Sequence, residues 1–189
     1  MDQLSLEIAK LVASVATPLA VVIVGFRVQS TLAQQDRSWR AHQQLAERRL
    51  AVYNGCRKEL NRIFCFIKDV GNWKEETPDS IIRLKRLVDE EMHTNSAIWA
   101  PDTFAAYLDY MNAAFSTYGP VGQDAKIRAS AKEKRVGIPN WNPEWDNRLT
   151  GTVDPEHGKK YQIFVALVSR DLTLTETSKQ TRLHDAKGA

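Results

Sequence analysis

The chain divides into one long apolar run and a much longer polar remainder in which apolar residues recur at helical intervals. The run, LVASVATPLAVVIVGF at residues 11–26, carries no charged side chain. Extended to residues 8–28, it has the roughly 20 residues that a helix needs to cross about 30 Å of hydrocarbon, with Lys10 and Arg27 reaching the two interfaces. The pattern therefore predicts that residues 1–28 form a transmembrane anchor.

Two other fates of such a segment fit less well, namely a cleaved signal peptide and a buried core helix. A signal peptide begins with a positive region, whereas Asp2 and Glu7 precede the single Lys10 here. On the other flank, arginines accumulate at positions 27, 37, 40, 48 and 49. By the positive-inside rule, the sequence predicts a single-pass protein of the inner (cytoplasmic) membrane, with its N-terminus outside and its C-terminal domain in the cytoplasm.

Beyond the anchor, the same helix is predicted to continue. Residues 27–70 contain no proline and one glycine, Gly55, and are rich in good helix formers. Within an otherwise polar segment, side chains recur at a seven-residue interval: Leu32, Trp39, Ala46, Tyr53, Leu60 and Ile67. A narrow stripe of this kind is typical of a helix–helix seam, so residues 29–49 are interpreted as a polar helical stalk.

From residue 50 the apolar face widens, which predicts entry into a packed bundle. Thr77 and Pro78 supply an N-cap and a first-turn proline for a second helix that ends near residues 94–96. A third helix is predicted to begin at Pro101 and to stop at Gly119, and a fourth is opened by residues 154–156. No strand pattern of comparable quality exists.

The predicted fold class is therefore all-α, with a transmembrane helix that continues into a long cytoplasmic stalk and a small helical bundle. The bundle covers residues 50–172, and residues 173–189 are predicted to be a flexible polar tail. The two cysteines, Cys56 and Cys65, fall in one predicted helix about 13 Å apart, too far for a disulfide. Reduced thiols agree with a cytoplasmic domain.

A long segment between the third and fourth helices, residues 119–153, lacks strong periodicity. Residues 124–135 are predicted to form a short basic helix, and the cations there define a basic patch: Lys126, Arg128, Lys132, Lys134 and Arg135. The following IPNWNPEW carries Trp141 and Trp145. Two large aromatic side chains in a polar loop predict burial, either against the domain's own bundle, which is favoured, or against a partner protein.

The anchor itself presents small residues at helical spacing, which let transmembrane helices approach closely: Ala9, Ala13, Ala16 and Ala20. Pro18 lies mid-span, where it removes one backbone hydrogen bond and can kink the helix. Together with the stripe in the stalk, these residues predict a homo-oligomer assembled in the membrane.

Charge and motifs limit the remaining function classes. The net charge of +3 is small for a dedicated nucleic-acid binder, so contact with anionic lipid headgroups is the simpler expectation and nucleic acid the weaker one.

The chain has no glycine-rich phosphate loop, G-x-S-x-G, H-E-x-x-H or paired C-x-x-C motif. Its histidines lie far apart in sequence. We therefore expect no metal and no cofactor, and favour a protein that is not an enzyme.

One spacing does suggest chemistry. Arg86 and His93, in RLVDEEMH, resemble the arginine–histidine signature of the HEPN ribonuclease superfamily, whose members are small helical bundles. The resemblance implies an arginine that stabilises phosphate charge and a histidine that acts as acid or base on RNA, usually completed across a dimer. Seven residues are two helical turns, so both side chains would lie on one face. The favoured alternative is a surface pair between Arg86 and Glu90.

The architecture as a whole resembles HEPN-like single-pass membrane accessory and effector proteins of prokaryotic antiviral systems, such as those of type VI CRISPR systems. That resemblance implies a homo-oligomer whose N-terminal helices surround or perturb a pore when a cytoplasmic partner signals. The expected function is therefore self-assembly that perturbs the inner membrane. Two alternatives stay open: a membrane-tethered ribonuclease using Arg86 and His93, and a non-catalytic adaptor that binds a protein through Trp141 and Trp145.

Overall fold

The computed structural model describes the backbone of residues 3–117 and 124–185. It describes side chains from residue 27 to residue 173, apart from residues 28, 31, 33, 34, 38 and 118–123. The chain forms two compact units, residues 1–44 and residues 45–189. The structure is mostly helical, which confirms the predicted helical class in its coarse form.

The helices follow in chain order as α1 (Gln3–Lys68), α2 (Pro78–Thr94), α3 (Pro101–Ala114), α4 (Ala131–Gly137) and α5 (His157–Asp185). Short 3₁₀ turns lie at Trp73–Glu75, Ser96–Ile98 and Pro143–Arg148. Strands β1 (Phe115–Ser116) and β2 (Lys126–Ile127) pair antiparallel, with Phe115 opposite Ile127. These elements frame one core in the unit that spans residues 45–189, in which the largest fully buried aromatic side chains are Tyr107, Tyr110, Phe66, Phe115 and Phe164.

Helix α1 ends in a Schellman-type turn. Asp69 adopts a left-handed conformation with φ +58°, and the Val70 N–H donates to the carbonyl of Cys65 at 3.1 Å. This pattern satisfies one of the orphan carbonyls that every helix has at its C-terminus.

Helix α2 begins where the sequence predicts. Thr77 is the N-cap, and its hydroxyl accepts from the Ser80 N–H while the Ser80 hydroxyl accepts from the Thr77 N–H, which completes a capping box. Pro78 occupies the first turn, and the helix ends at Thr94.

The prediction for α3 is wrong at its C-terminus. The helix stops at Ala114 rather than at Gly119, because Phe115 turns to an extended conformation, φ −133° and ψ 149°, and pairs with Ile127. The sequence pattern predicts no strand here. A two-residue strand is too short to produce an alternating pattern, so its pairing is decided by burial of Phe115 and Ile127.

The C-terminal segment also differs from expectation. The predicted flexible tail begins at residue 173, but α5 continues as a helix to Asp185. No proline or glycine interrupts residues 173–185, so nothing in the local sequence ends the helix earlier.

No helix in the part of the chain whose side chains the structure describes is long and apolar enough to cross a membrane. The predicted anchor, residues 1–28, falls almost entirely outside that part. The same holds for its proposed assembly residues: Ala9, Ala13, Ala16, Pro18 and Ala20.

Candidate functional site

A network of ion pairs joins α2 to the long segment that follows β1. The Arg148 guanidinium bridges two carboxylates, with Nε 3.1 Å from Asp79 Oδ1 and Nη1 3.2 Å from Asp124 Oδ2. The Trp145 indole N–H donates to Asp79 Oδ2 at 3.0 Å. A polar cleft at this network is lined by Asp79, Asp124, Lys126, Glu144, Trp145, Asn147 and Arg148. The cleft carries charges of both signs, and its arginine is already held by carboxylates.

The predicted catalytic pair lies on the solvent side of α2. Arg86 is 61% exposed and pairs with Asp124, rather than with Glu90 as the surface alternative predicts. His93 is exposed, and its ring packs edge-on against Phe104, with ring centroids 5.3 Å apart. Arg86 therefore holds the long segment against α2, while His93 covers an aromatic side chain of α3.

The prediction of an exposed basic patch is wrong for Lys134. The side chain of Lys134 is 1% exposed, and its ammonium donates to the Phe66 carbonyl and to Asp69. The nitrogen also lies 4.7 Å from the centroid of Phe66 and 4.8 Å from that of Trp73. Burial lowers the pKa of Lys134, and the Asp69 carboxylate partly offsets that effect. This cation therefore stabilises the fold and is not available to a phosphate.

A glycine makes this lysine site possible. A Cβ at Gly137 would lie 1.9 Å from Trp73 Cη2, so only glycine lets the indole pack over the end of α4. Sequence reasoning misses the site because Lys134 lies in a run of basic residues. Only the folded structure shows that Lys134 is buried.

The other members of the patch go to different places. Arg128 Nε donates to the Asn112 carbonyl at 3.0 Å, and Arg135 pairs with Asp146. Lys126 and Lys132 are exposed. The five cations therefore do not form one phosphate-binding surface.

The two loop tryptophans pack against the domain's own core, as the favoured alternative predicts. Their rings meet edge-to-face with centroids 5.3 Å apart, and both are partly buried against the hydrophobic core. The Trp141 indole N–H donates to Asp146 Oδ1 at 3.1 Å. The proposed partner loop is thus occupied within the bundle, because each indole finds a carboxylate for its N–H and an apolar surface for its rings.

The seam residues divide between the two units. Leu60 and Ile67 are buried in the bundle core, and Tyr53 is partly buried against it. Leu32 is 56% exposed. Trp39 and Ala46 are half-buried. Only the first part of the stripe therefore remains accessible.

Two arginines of the basic flank belong to the bundle. Arg48 donates to Asn95 Oδ1 at 3.1 Å, and Arg49 Nε donates to the Ile98 carbonyl at 2.6 Å. Arg49 also donates to the Asp171 carbonyl at 3.0 Å. They join α1 to the turn after α2 and to α5, which is a structural role that the positive-inside count does not anticipate.

Buried polar contacts join α3 to α5 and to α2. The sequence pattern does not reveal them. Asp171 is fully buried, and its carboxylate accepts from the Ala100 N–H at 3.0 Å and the Thr103 hydroxyl at 2.9 Å. The Tyr107 hydroxyl donates to Asp89, and burial raises the pKa of Tyr107 well above its usual value. Such a phenol stays protonated at any physiological pH.

The cysteines are both free, and Cys56 is buried. Burial raises the pKa of the Cys56 thiol to about 12, so it is not a reactive thiolate at neutral pH. Among the residues that the structure describes, no group of histidine, cysteine or acidic side chains has the arrangement of a metal site.

Comparison with known proteins does not place the chain in a family. No family model, curated protein or solved structure matches it.

Proposed function

We propose that this protein is a single-pass, membrane-anchored homo-oligomer that perturbs the inner membrane as a pore or permeability effector, in the setting of antiviral defence. The observation that carries the proposal is the unbroken α1, Gln3–Lys68. The apolar run at residues 11–26, the polar stalk and the first helix of the bundle all belong to this one element. A change in the bundle thus has a continuous helical connection to the predicted anchor.

The stalk supports self-association. Between residues 27 and 44, every side chain that the structure describes is exposed, apart from the half-buried Trp39. A helix in water gains most of its stability from packing against other elements. We infer that further copies of the chain supply that packing, with Leu32 as the first contact of the seam.

The ribonuclease and adaptor alternatives both need residues that already make contacts within the domain. The ribonuclease would need a free Arg86 and a basic surface, but Arg86 pairs with Asp124 and Lys134 is buried. The adaptor would need Trp145 at the surface, but its indole bonds to Asp79. These contacts within the bundle favour the assembly proposal over both alternatives.

A matched pair of leucines tests the assembly. Leu32 is 56% exposed and lies in the stalk, whereas Leu87 is 57% exposed and lies on α2 of the bundle. We expect full-length protein in mild detergent to give a discrete oligomeric mass by light scattering. Leu32→Gln should shift that mass towards the monomer and Leu87→Gln should not. A monomeric wild type, or equal effects of the two variants, would overturn the proposal.

Membrane perturbation is tested separately with vesicles. The full-length chain should release an entrapped dye from vesicles that contain anionic lipid, and a chain starting at residue 29 should not. Pro18→Leu and Ala16→Leu change the proline and the small-residue face of the predicted anchor, so we expect each to reduce release without unfolding the bundle. Dye retention by an oligomeric wild type would remove the permeability function while leaving self-assembly intact.

A further inference from the structure

His157, the first residue of α5, has no hydrogen-bond partner on its ring. It is 0% exposed, and both ring nitrogens are buried without a partner. A neutral imidazole always has one N–H to donate and one nitrogen that accepts, so each is left unsatisfied here. An unsatisfied buried polar group costs on the order of 1–3 kcal/mol.

Aromatic side chains of two other helices contact the ring, and a third aromatic side chain packs behind them. Phe64 of α1 stacks on it, with centroids 5.6 Å apart and planes 17° apart. Tyr110 of α3 lies 5.2 Å from it, and Tyr161 of α5 stacks on Phe64 at 4.4 Å. These contacts use only the shape and the apolar faces of the imidazole. A phenylalanine would make them without leaving a nitrogen unsatisfied.

The charges around the ring oppose its protonation. Lys68 approaches from the end of α1, where its Cε would lie 3.1 Å from a Cβ built on Gly158, and Lys160 lies one turn along α5. The acidic group that faces the ring is Asp154, which already pairs with Lys160 at 3.2 Å and accepts from the Glu156 N–H at 2.8 Å. The neighbouring tyrosines, Tyr110 and Tyr161, have raised pKa values and remain neutral. A positive imidazolium would therefore face two lysines and one occupied carboxylate.

We propose that His157 is a pH switch of the bundle: on acidification its ring becomes charged, leaves the aromatic cluster, and releases the first turn of α5 from α1 and α3. The inference concerns the bundle and stands independently of membrane association.

The sign and size of the effect follow from linkage. Burial, and secondarily Lys68, lower the pKa of His157 from 6.5 to about 4. A group whose pKa is lower in the folded state stabilises that state above the unfolded pKa, and the contribution is lost as the pH falls from 6.5 towards 4. Over that window the equilibrium for docking of α5 should weaken on the order of a hundredfold.

The test is hydrogen exchange of the full-length chain in non-ionic detergent, corrected for the pH dependence of the intrinsic rate. In the wild type, protection of residues 158–164 should fall between pH 6.5 and 4, before protection of α2 falls. His157→Phe should retain that protection, whereas His93→Gln, which changes an exposed histidine, should behave like the wild type. Equal pH dependence in His157→Phe and the wild type would overturn the proposal.

A second pair of variants keeps the test decisive if His157→Phe fails to fold. Lys68→Met removes a positive charge that lowers the pKa of the imidazole in the folded state, so acidification should cause a smaller loss of protection at residues 158–164. Lys159→Met is the matched control, because Lys159 is exposed and pairs with Glu156 at 3.3 Å. A loss of protection in Lys68→Met equal to that of the wild type, or an equally reduced loss in Lys159→Met, would refute a role for His157.

Discussion

Replacing the buried Lys134 with alanine should destabilise the bundle by about 3 kcal/mol, and the estimate can be built from its contacts. The hydrogen bond from the ammonium to the Phe66 carbonyl contributes about 1.5–3 kcal/mol, as bonds to charged groups do. Three buried methylenes beyond Cβ add about 2.4 kcal/mol. The rings of Phe66 and Trp73 add about 1 kcal/mol or more. The cost of burying the charge, which the lowered pKa reflects, offsets roughly half of that sum.

The position of the lysine explains why its loss should matter. Phe66 lies in the last turn of α1, where four carbonyls have no partner within the helix and the negative end of the helix dipole lies. Lys134 therefore acts as a C-terminal cap supplied by another helix. Lys134→Met keeps most of the stem in place and loses the donor, so it should cost less than alanine, about 1–2 kcal/mol.

Urea unfolding of the full-length chain in mild detergent, followed by tryptophan fluorescence, measures these differences. Trp73 lies against the mutated side chain and should report its loss directly. Lys132→Ala is the control, since Lys132 is exposed on the same helix and its change should fall within about 0.5 kcal/mol. The reasoning fails if Lys134→Ala is no more destabilising than Lys132→Ala, or if Lys134→Met is worse than Lys134→Ala.

Two further stability predictions follow from the backbone. Gly137→Ala should cost about 1–3 kcal/mol and expose Trp73, seen as a red shift of its emission, because the new Cβ would overlap the indole. Gly151→Ala, where φ is +82° and no atom lies within 4 Å of the new Cβ, introduces backbone strain alone and should leave Trp73 emission unchanged. Thr77→Ala should lower the free energy of unfolding by about 1 kcal/mol, since it removes half of the capping box of α2; an unchanged urea midpoint would contradict this.

Local signals in the sequence account for the elements that were predicted correctly. Thr77 and Pro78 mark the start of α2 because capping and proline geometry act within one turn. The end of α3 could not be predicted in this way. Phe115 leaves the helix to pair with Ile127, a partner 12 residues along the chain, and no local rule anticipates that choice.

In the candidate sites, too, local sequence predicts which residues share a helix but does not predict their distant partners. Arg86 and His93 are correctly expected on one helix, yet the partner of Arg86 is Asp124, 38 residues away, rather than the nearby Glu90. Lys134 reads as one of several surface cations, because charge patterning along the chain contains no information on burial. His157 belongs to no sequence motif. It stands out only because the fold leaves both of its ring nitrogens without a hydrogen-bond partner.

The cap that Lys134 places on α1 also has a consequence for the order of folding. The lysine is 68 residues beyond Phe66, and Asp171 is likewise 71 residues beyond the Ala100 N–H that it accepts from. During synthesis, α1 and α3 therefore leave the ribosome long before the side chains that complete their ends. Contacts of such high sequence separation slow folding. We expect a nascent chain that ends before α4 to expose the last turn of α1, and to be a substrate for chaperones until the C-terminal third has been made.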